Sequence, residues 1–442
     1  MQTKYLKTLL SISTVAATLL LSGCGSSSDS TATATSLTAS GQLVDSFVAD
    51  VNYTCSDGTT GVTDENGSFT CTALPVTFSV ETLELGTIYT LPQDAMVFPQ
   101  DLTDVNRTDL NNSEVIAIAE FLQSCDDNNN ANDGIRIQAQ VREQLRQRAH
   151  EKLTAENLDA IAADLNLTLV DQETAIQHLT QTTDYVQSVI SAHGYSRNSA
   201  AHQGNGISDT ATMQTQTTSA VTQALLSPAS ALTQEAKDTL AYMGNEERLA
   251  HDVYMTLYNY HLESGTEIKT LYNIATNSET VHTTDMQLLI KKYITSLDEF
   301  TNVDAAQNLP DANLSYLDMS VSELPAGQYN IQAIQNLYDT LVAKGKQSQQ
   351  DALEVGCMVE VTDINDLDED IAIAQDSNAS DVVTVFNFLR DGSYTHYWAF
   401  DTALKNMGVT EGCAVIGEEY NHPEYPQDTA SATGNGHQYG RQ

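Results

Sequence analysis

The sequence predicts a multidomain α+β chain with a small N-terminal β-sandwich, a helical middle segment and a C-terminal four-helix bundle closed by a long crossover. Three observations carry that reading. At 442 residues the chain is too long for one ordinary core, which points to two or three domains. Between Gly41 and Val97 short alternating runs dominate, among them Val51-Asn52-Tyr53-Thr54 and Val76-Thr77-Phe78-Ser79-Val80. Beyond residue 231, four segments repeat apolar residues at steps of three and four.

Composition excludes some functions before any motif is read. With 19 Lys+Arg against 59 Asp+Glu, the formal net charge is −40, so the surface repels phosphate backbones and nucleic acid is not an expected partner. Such a surface attracts cations, although the solvated acidic surface of an exported protein accounts for the same numbers. Lys4 and Lys7 precede an apolar run from Leu9 to Leu21 that is short for a bilayer span and ends in small residues, so residues 1–23 read as a signal peptide. Leu21-Ser22-Gly23-Cys24 resembles the lipobox of bacterial lipoproteins. That resemblance implies cleavage before Cys24, acylation of its thiol and amine, and stable membrane anchoring through several chains. Gly25 after the cysteine, by resemblance to Gram-negative sorting rules, implies the outer membrane, on its periplasmic or surface face. Residues 24–40 then form a flexible tether. No later segment reads as a transmembrane helix.

With Cys24 lipidated, five cysteines remain in an oxidising compartment. Cys55 and Cys71 flank a turn-rich stretch and read as one disulfide; Cys357 and Cys413 are candidates for a second, leaving Cys125 over. No CxxC pair occurs, so neither a thioredoxin-like dithiol nor a rubredoxin-type iron site is encoded.

The β-sandwich module is placed at 41–100, with Asp57-Gly58 and Asn66-Gly67 as hairpin turns. Thr63-Asp64-Glu65-Asn66-Gly67-Ser68-Phe69 resembles a turn of prealbumin-like modules in bacterial surface proteins, which implies spacing or binding. A helical spacer is expected over 101–192, from apolar positions such as Ile118, Phe121, Val141 and Leu145. Within it, Asp126 to Ile135 alternates oxygen side chains as a calcium loop does, but its Gly comes too late for EF-hand spacing and no acid closes it, so it reads as a polar loop. Residues 193–230 read as a linker, 231–408 as the bundle and 409–442 as a tail.

Each bundle stripe is interrupted by residues of the metal-ligand type. The first runs Ala236, Leu240, Met243, Glu247, Ala250, Tyr254, Leu257, with Glu246 expected off to the side as a solvated acid. The second runs Ile268, Leu271, Ala275, Glu279, His282, Met286, Leu289; Glu279 and His282, at i and i+3, point the same way. The third, capped at Ser348, carries Glu360 and Asp363, and the fourth carries Ser393 and His396. A buried carboxylate costs several kcal/mol, on the order of 3–5, unless it is paired or binds a metal. Acids and imidazoles on four separate stripes are therefore hard to explain as independent accidents, though polar core networks explain them too.

Glu246-Glu247-Arg248-Leu249-Ala250-His251-Asp252-Val253-Tyr254, Ser278-Glu279-Thr280-Val281-His282, Glu360-Val361-Thr362-Asp363 and Gly392-Ser393-Tyr394-Thr395-His396 make 231–408 resemble the ferritin-like superfamily that includes rubrerythrins, and an uncharacterised family of exported proteins within it. The resemblance implies a di-metal site in which two helices each give a Glu and two each give an ExxH. Carried over, Glu247, Glu279, His282, Glu360 and His396 are ligands and catalytic residues, with Tyr254 beside them. Ser393 stands where the fourth-helix Glu is expected, and Asp363 is the carboxylate that could replace it. The implied cofactor is two iron ions, with manganese or zinc as alternatives. The implied activity is oxidoreduction of the ferroxidase or peroxidase type, with an external electron donor and with Tyr394 and Trp398 as further nearby rings. The acidic run from Asp366 to Asp370 reads as a solvated helix end, and His150, His178, His193, His202, His422 and His437 as scattered residues without partners. The competing reading is a metal-free surface or interaction lipoprotein whose bundle is structural. No feature of the sequence sets an oligomeric state.

Overall fold

The computed structural model describes residues 39–193, 214–294, 296, 317–329 and 332–427. The leader, Cys24 and most of the expected tether lie outside them. So do 194–213, within the expected linker, and 297–316, within the expected crossover. Among the described residues no helix is long and apolar enough to cross a membrane. The chain is mixed α+β, with a strand-rich N-terminal region and a helical C-terminal part.

Short alternating runs fold into two main sheets. β1 (Ala39–Leu43) lies between antiparallel β5 (Ser68–Cys71) and parallel β8 (Met96–Val97). β3 (Asn52–Cys55), β4 (Thr60–Val62), β6 (Val76–Val80) and β7 (Leu83–Ile88) build a larger sheet in the order β7-β6-β3-β4. Alternation puts Val76, Phe78 and Val80 inside, where Phe78 meets Phe69 edge-on at 5.0 Å. The Cys55–Cys71 disulfide ties β3 of one sheet to β5 of the other. Gly67 turns at a φ of +66°, and a side chain there would strike the Leu43 carbonyl, so that turn requires glycine.

The middle segment differs from the all-helical expectation. α1 (Pro99–Leu102), α2 (Ser113–Ser124), α3 (Ala139–Arg146), α4 (Leu158–Leu165) and α5 (Gln172–His193) form. Between them, β9 (Ile135–Arg136) pairs with β2 (Val48–Ala49), and β10 (Glu151–Lys152) extends the larger sheet beside β7. A two-residue strand has no alternation to read, so its pairing is set only by the neighbouring edge. The Asp126 loop is polar and closed on itself: Asp126 accepts from the Asn130 and Arg136 amides, and Asp133 from the side chains of Asn128 and Asn130.

The stretch read as a linker carries α6 (Ser219–Leu225), capped by Thr218. Next come α7 (Gln234–Glu263), then α8 (Lys269–Asn273), a π-helical segment Ile274–Glu279 and α9 (Thr280–Tyr293) as one continuous rod. α10 (Gln332–Gly345), α11 (Gln349–Asp376) and α12 (Ser380–Asn406) complete the α-helices of the described residues. Ser348 caps α11 by accepting from the Asp351 amide, as its spacing predicts. α7 packs on α9 and α11, α11 on α12, and α12 on α9, so four helices enclose one interior. α6 lies along α12, and the Cys357–Cys413 disulfide ties α11 to the turn after α12. Cys125 is free and buried.

Candidate metal centre

The four enclosing helices aim six ionisable side chains at their shared interior. α7 brings Glu247, the π-helical segment and α9 bring Glu279 and His282, α11 brings Glu360 and Asp363, and α12 brings His396. None of the five predicted Glu and His ligands exceeds 2% exposure, and Asp363 is 8% exposed. Glu279 lies at the end of the π-helical segment, a local widening that recurs at functional sites. Thr280 Oγ1 supports it by donating to the Ala275 carbonyl five residues back.

Glu279 is shared. Its Oε2 lies 3.6 Å from His282 Nδ1, and its Oε1 lies 3.0 Å from His396 Nδ1. His282 Nδ1 is also 3.1 Å from Glu247 Oε2, and His396 Nδ1 is 3.3 Å from Glu360 Oε2. Two three-residue sets result, Glu247/Glu279/His282 and Glu279/Glu360/His396, each with its ligand atoms within 4.8 Å of one another. The imidazole centroids are 5.5 Å apart.

The electrostatics show what this arrangement costs. Burial raises the Glu247 carboxyl to about 7 against the opposing pull of His282. Burial likewise raises Glu360 despite His396 beside it, and raises Asp363 strongly, with Glu247 adding repulsion. For Glu279 burial is outweighed by His396 and His282, so its pKa falls. Burial opposes the charged form of both rings, yet their acidic neighbours prevail, lifting His396 to about 9 and His282 well above its usual value. Without a cation these shifts oppose full ionisation of Glu247, Glu360 and Asp363 and favour charged rings, whereas two divalent cations would balance all four carboxylates beside neutral imidazoles. Among the described residues Glu247 Oε1, Asp363 Oδ1 and His396 Nε2 are buried without a hydrogen-bond partner. Buried polar atoms are rarely left so. Oxygen and imidazole donors in this number suit iron, manganese or zinc.

The surroundings hold the cluster in shape. The Tyr254 hydroxyl donates to Glu360 Oε1, and the Ser393 hydroxyl donates to Asp363 Oδ2. Asp363 belongs to neither three-residue set and stands beside them. Glu246 corrects the sequence reading: it is 7% exposed, its Oε2 has no partner among the described residues, and burial and Asp366 push its pKa well up. α7 touches α9, α10 and α11, so no wide face is left to solvent. The acidic run is likewise split, with Asp366 and Asp370 half-buried and Asp368 and Glu369 exposed. Arg248 and Asp252, which the motif left unexplained, clamp the end of the crossover: Arg248 donates to the Pro325 and Gln328 carbonyls, and Asp252 accepts from the Gly327 amide and the Tyr329 hydroxyl.

Other expectations shift. Tyr394 and Trp398 both engage Tyr425 beyond α12. His178, His193 and His422 are not partnerless; they face Asp45, Asp285 and Glu424, while His202 and His437 lie outside the described residues. The residue that sequence reasoning missed altogether is Gln214, whose Oε1 sits 2.7 Å from His282 Nε2. A lone glutamine in a Thr/Gln-rich stretch carries no signal for that contact.

Residues 236–317 and 299–422 match the family described as an uncharacterized protein domain, DUF2202. The chain is 32% identical over 209 residues to the uncharacterized protein MJ0754 of Methanocaldococcus jannaschii, a match covering 47% of this chain and 94% of the relative. A crystal structure of the hypothetical protein MJ0754 is similar over 41% of this chain and 86% of its own, at 30% identity and a TM-score of 0.33. All six ionisable residues of the cluster fall within 236–422, and through that stretch the chain belongs to the DUF2202 family.

Proposed function

We propose that this chain is an exported, lipid-anchored protein whose C-terminal helices form a ferritin-like four-helix bundle binding two divalent metal ions, iron foremost, with redox activity towards dioxygen or peroxide. The observation that carries the reading is Glu279, whose two oxygens face one imidazole each, so that this one carboxylate would help to hold both ions. Glu247 and His282 would hold one ion, Glu360 and His396 the other, and the partnerless Glu247 Oε1 fits a further ligand atom. When bound, a pair of irons would supply electrons to oxygen or peroxide, an external donor returning them. Tyr254 orients Glu360 by its hydrogen bond and keeps that oxygen from swinging. Ser393 holds Asp363 in the same way, leaving Asp363 Oδ1 as a reserve acceptor inside the cluster. Low exposure of every member excludes bulk water from the reacting region. The strand-rich region, read as a prealbumin-like module, would space this centre from the membrane.

A second reading rests on a different feature of the same cluster. His282 pairs with Glu247 and His396 with Glu279 as ion pairs that need no metal, which suits a structural bundle in a surface interaction protein. Metal analysis of the full chain purified without chelator separates the two. The proposal expects two equivalents of iron or manganese, and none in a Glu279→Ala/His282→Ala variant. A folded, metal-free wild type that takes up no added metal overturns it.

A further inference from the structure

The His282 ring has two nitrogens, and the cluster uses one of them. Nδ1 faces Glu247 and Glu279, while Nε2 points away, 2.7 Å from Gln214 Oε1, with Ser278 Oγ a more distant neighbour at 3.5 Å. The Gln214 amide cannot be turned the other way without loss, because its Nε2 donates to the Phe388 carbonyl at 2.9 Å. A carbonyl oxygen only accepts, so the proton between Gln214 and His282 belongs to the ring.

We propose that Gln214 is a positioning residue for the metal centre: by accepting the Nε2 proton of His282 it commits Nδ1 to the metal. The proposal rests on the di-metal reading above. Outer partners of this kind set which nitrogen binds, hold the ring plane and raise its basicity, and losing one typically costs about 10- to 100-fold in metal affinity.

Two independent features of the fold place Gln214 there. Thr217, three residues on, donates to Asp285, lying 2.9 Å from each carboxylate oxygen, and Asp285 is fully buried one helical turn beyond His282. Directly afterwards Thr218 caps α6, which packs along α12. The backbone around Gln214 is thus held against α9 on one side and α12 on the other. The second feature is Gly392 on α12: a Cβ there would come within 2.6 Å of both His282 Nε2 and Gln214 Oε1. Real Cβ atoms do not approach so closely, so the glycine next to Ser393 leaves room for this pair.

Gln214 precedes the residues that match the family, so the family stretch supplies the ligands and an upstream segment supplies the partner that orients one of them. The other ring has no such partner: His396 Nε2 is buried without one among the described residues. Gln214 therefore makes the two halves of the centre unequal.

The test titrates metal-free full chain with Co(II) alone, followed by calorimetry and by the visible spectrum of the bound ion, alongside 15N-histidine NMR of the metal-free protein. Wild type should bind two Co(II) and show His282 protonated on Nε2 in slow exchange. Gln214→Leu should weaken one site about 10- to 100-fold, leave the other unchanged and lose the slow Nε2 proton. Gln214→Glu, which still accepts that proton, should restore both. Gly392→Ala, which keeps the glutamine but crowds both its Oε1 and His282 Nε2, should copy the leucine variant and carries the prediction should Gln214→Leu not fold. Wild type that binds no Co(II) overturns the metal reading itself. Wild type that binds two, with both variants binding as tightly and the Nε2 proton unchanged, overturns only the role of Gln214.

Discussion

Two buried polar clusters sit in different parts of this molecule, and they are built on opposite ratios of acid to donor. In the strand-rich region Asp45 is fully buried, yet it accepts from the Gln123 amide through both oxygens and faces His178 Nδ1 at 3.3 Å. Gln123 also reaches the Ala175 carbonyl, and His178 Nε2 the Ser46 hydroxyl. One carboxylate meets several donors, and no polar atom of the three is buried without a partner among the described residues. In the helical region four carboxylates meet two imidazoles and two hydroxyls, and orphaned atoms remain. A buried acid with a His nearby is thus no signal in itself. The surplus of acid over donor distinguishes a candidate cation site from a structural network.

The comparison can be broken in three ways. The largest effect is expected from metal itself. Adding Mn(II) or Fe(II) to chelator-stripped protein should raise its resistance to denaturant by about 4 kcal/mol for each ion bound once free metal exceeds Kd a thousandfold. Unfolding curves that ignore metal would remove the distinction between the clusters. Next, Asp45→Ala should destabilise by about 3 kcal/mol, since Gln123 and His178 lose their shared acceptor, while metal content stays as in wild type. A fall in bound metal would mean that the two regions are coupled. The smallest effect belongs to Ser393→Ala, which removes the donor from Asp363 and should cost about 1 kcal/mol in metal-free protein with both metal equivalents retained. Loss of one equivalent in that variant would instead make Ser393 or Asp363 part of the ligand set.

Much of the helical cluster was legible because its signal is periodic. Residues at steps of three and four share a helix face, so Glu247, Glu279, His282, Glu360 and His396 announced themselves as acids and imidazoles in apolar rows. The same argument misplaced Glu246. It assumes one buried stripe per helix, whereas α7 has neighbours on several sides. The π-helical segment before Glu279 was invisible for a related reason, since widening a helix shifts its hydrogen bonds without interrupting its apolar row. Hairpin chemistry was readable in Asp57-Gly58, which joins the antiparallel pair β3 and β4, whereas Asn66-Gly67 closes no hairpin but turns the chain from one sheet to the other, its left-handed backbone demanding glycine. β9 and β10, at two residues each, had no pattern to offer.

By itself the sequence determined the strand-rich and helical regions, the cysteine pair across the turn between Cys55 and Cys71, and the inward placement of Glu247, Glu279, His282, Glu360 and His396 on their helices. These follow from local periodicity and turn chemistry, which act over a few residues. Only the tertiary structure decided that Glu279 lies between the two imidazoles, that Arg248 and Asp252 grip the crossover, and that Gln214 reaches His282 over Gly392. Apart from Glu279 and His282, three residues apart on one rod, those contacts join residues 68 to 178 positions apart in sequence. Side-chain pairing at such range depends on how rods pack, and no local pattern encodes it.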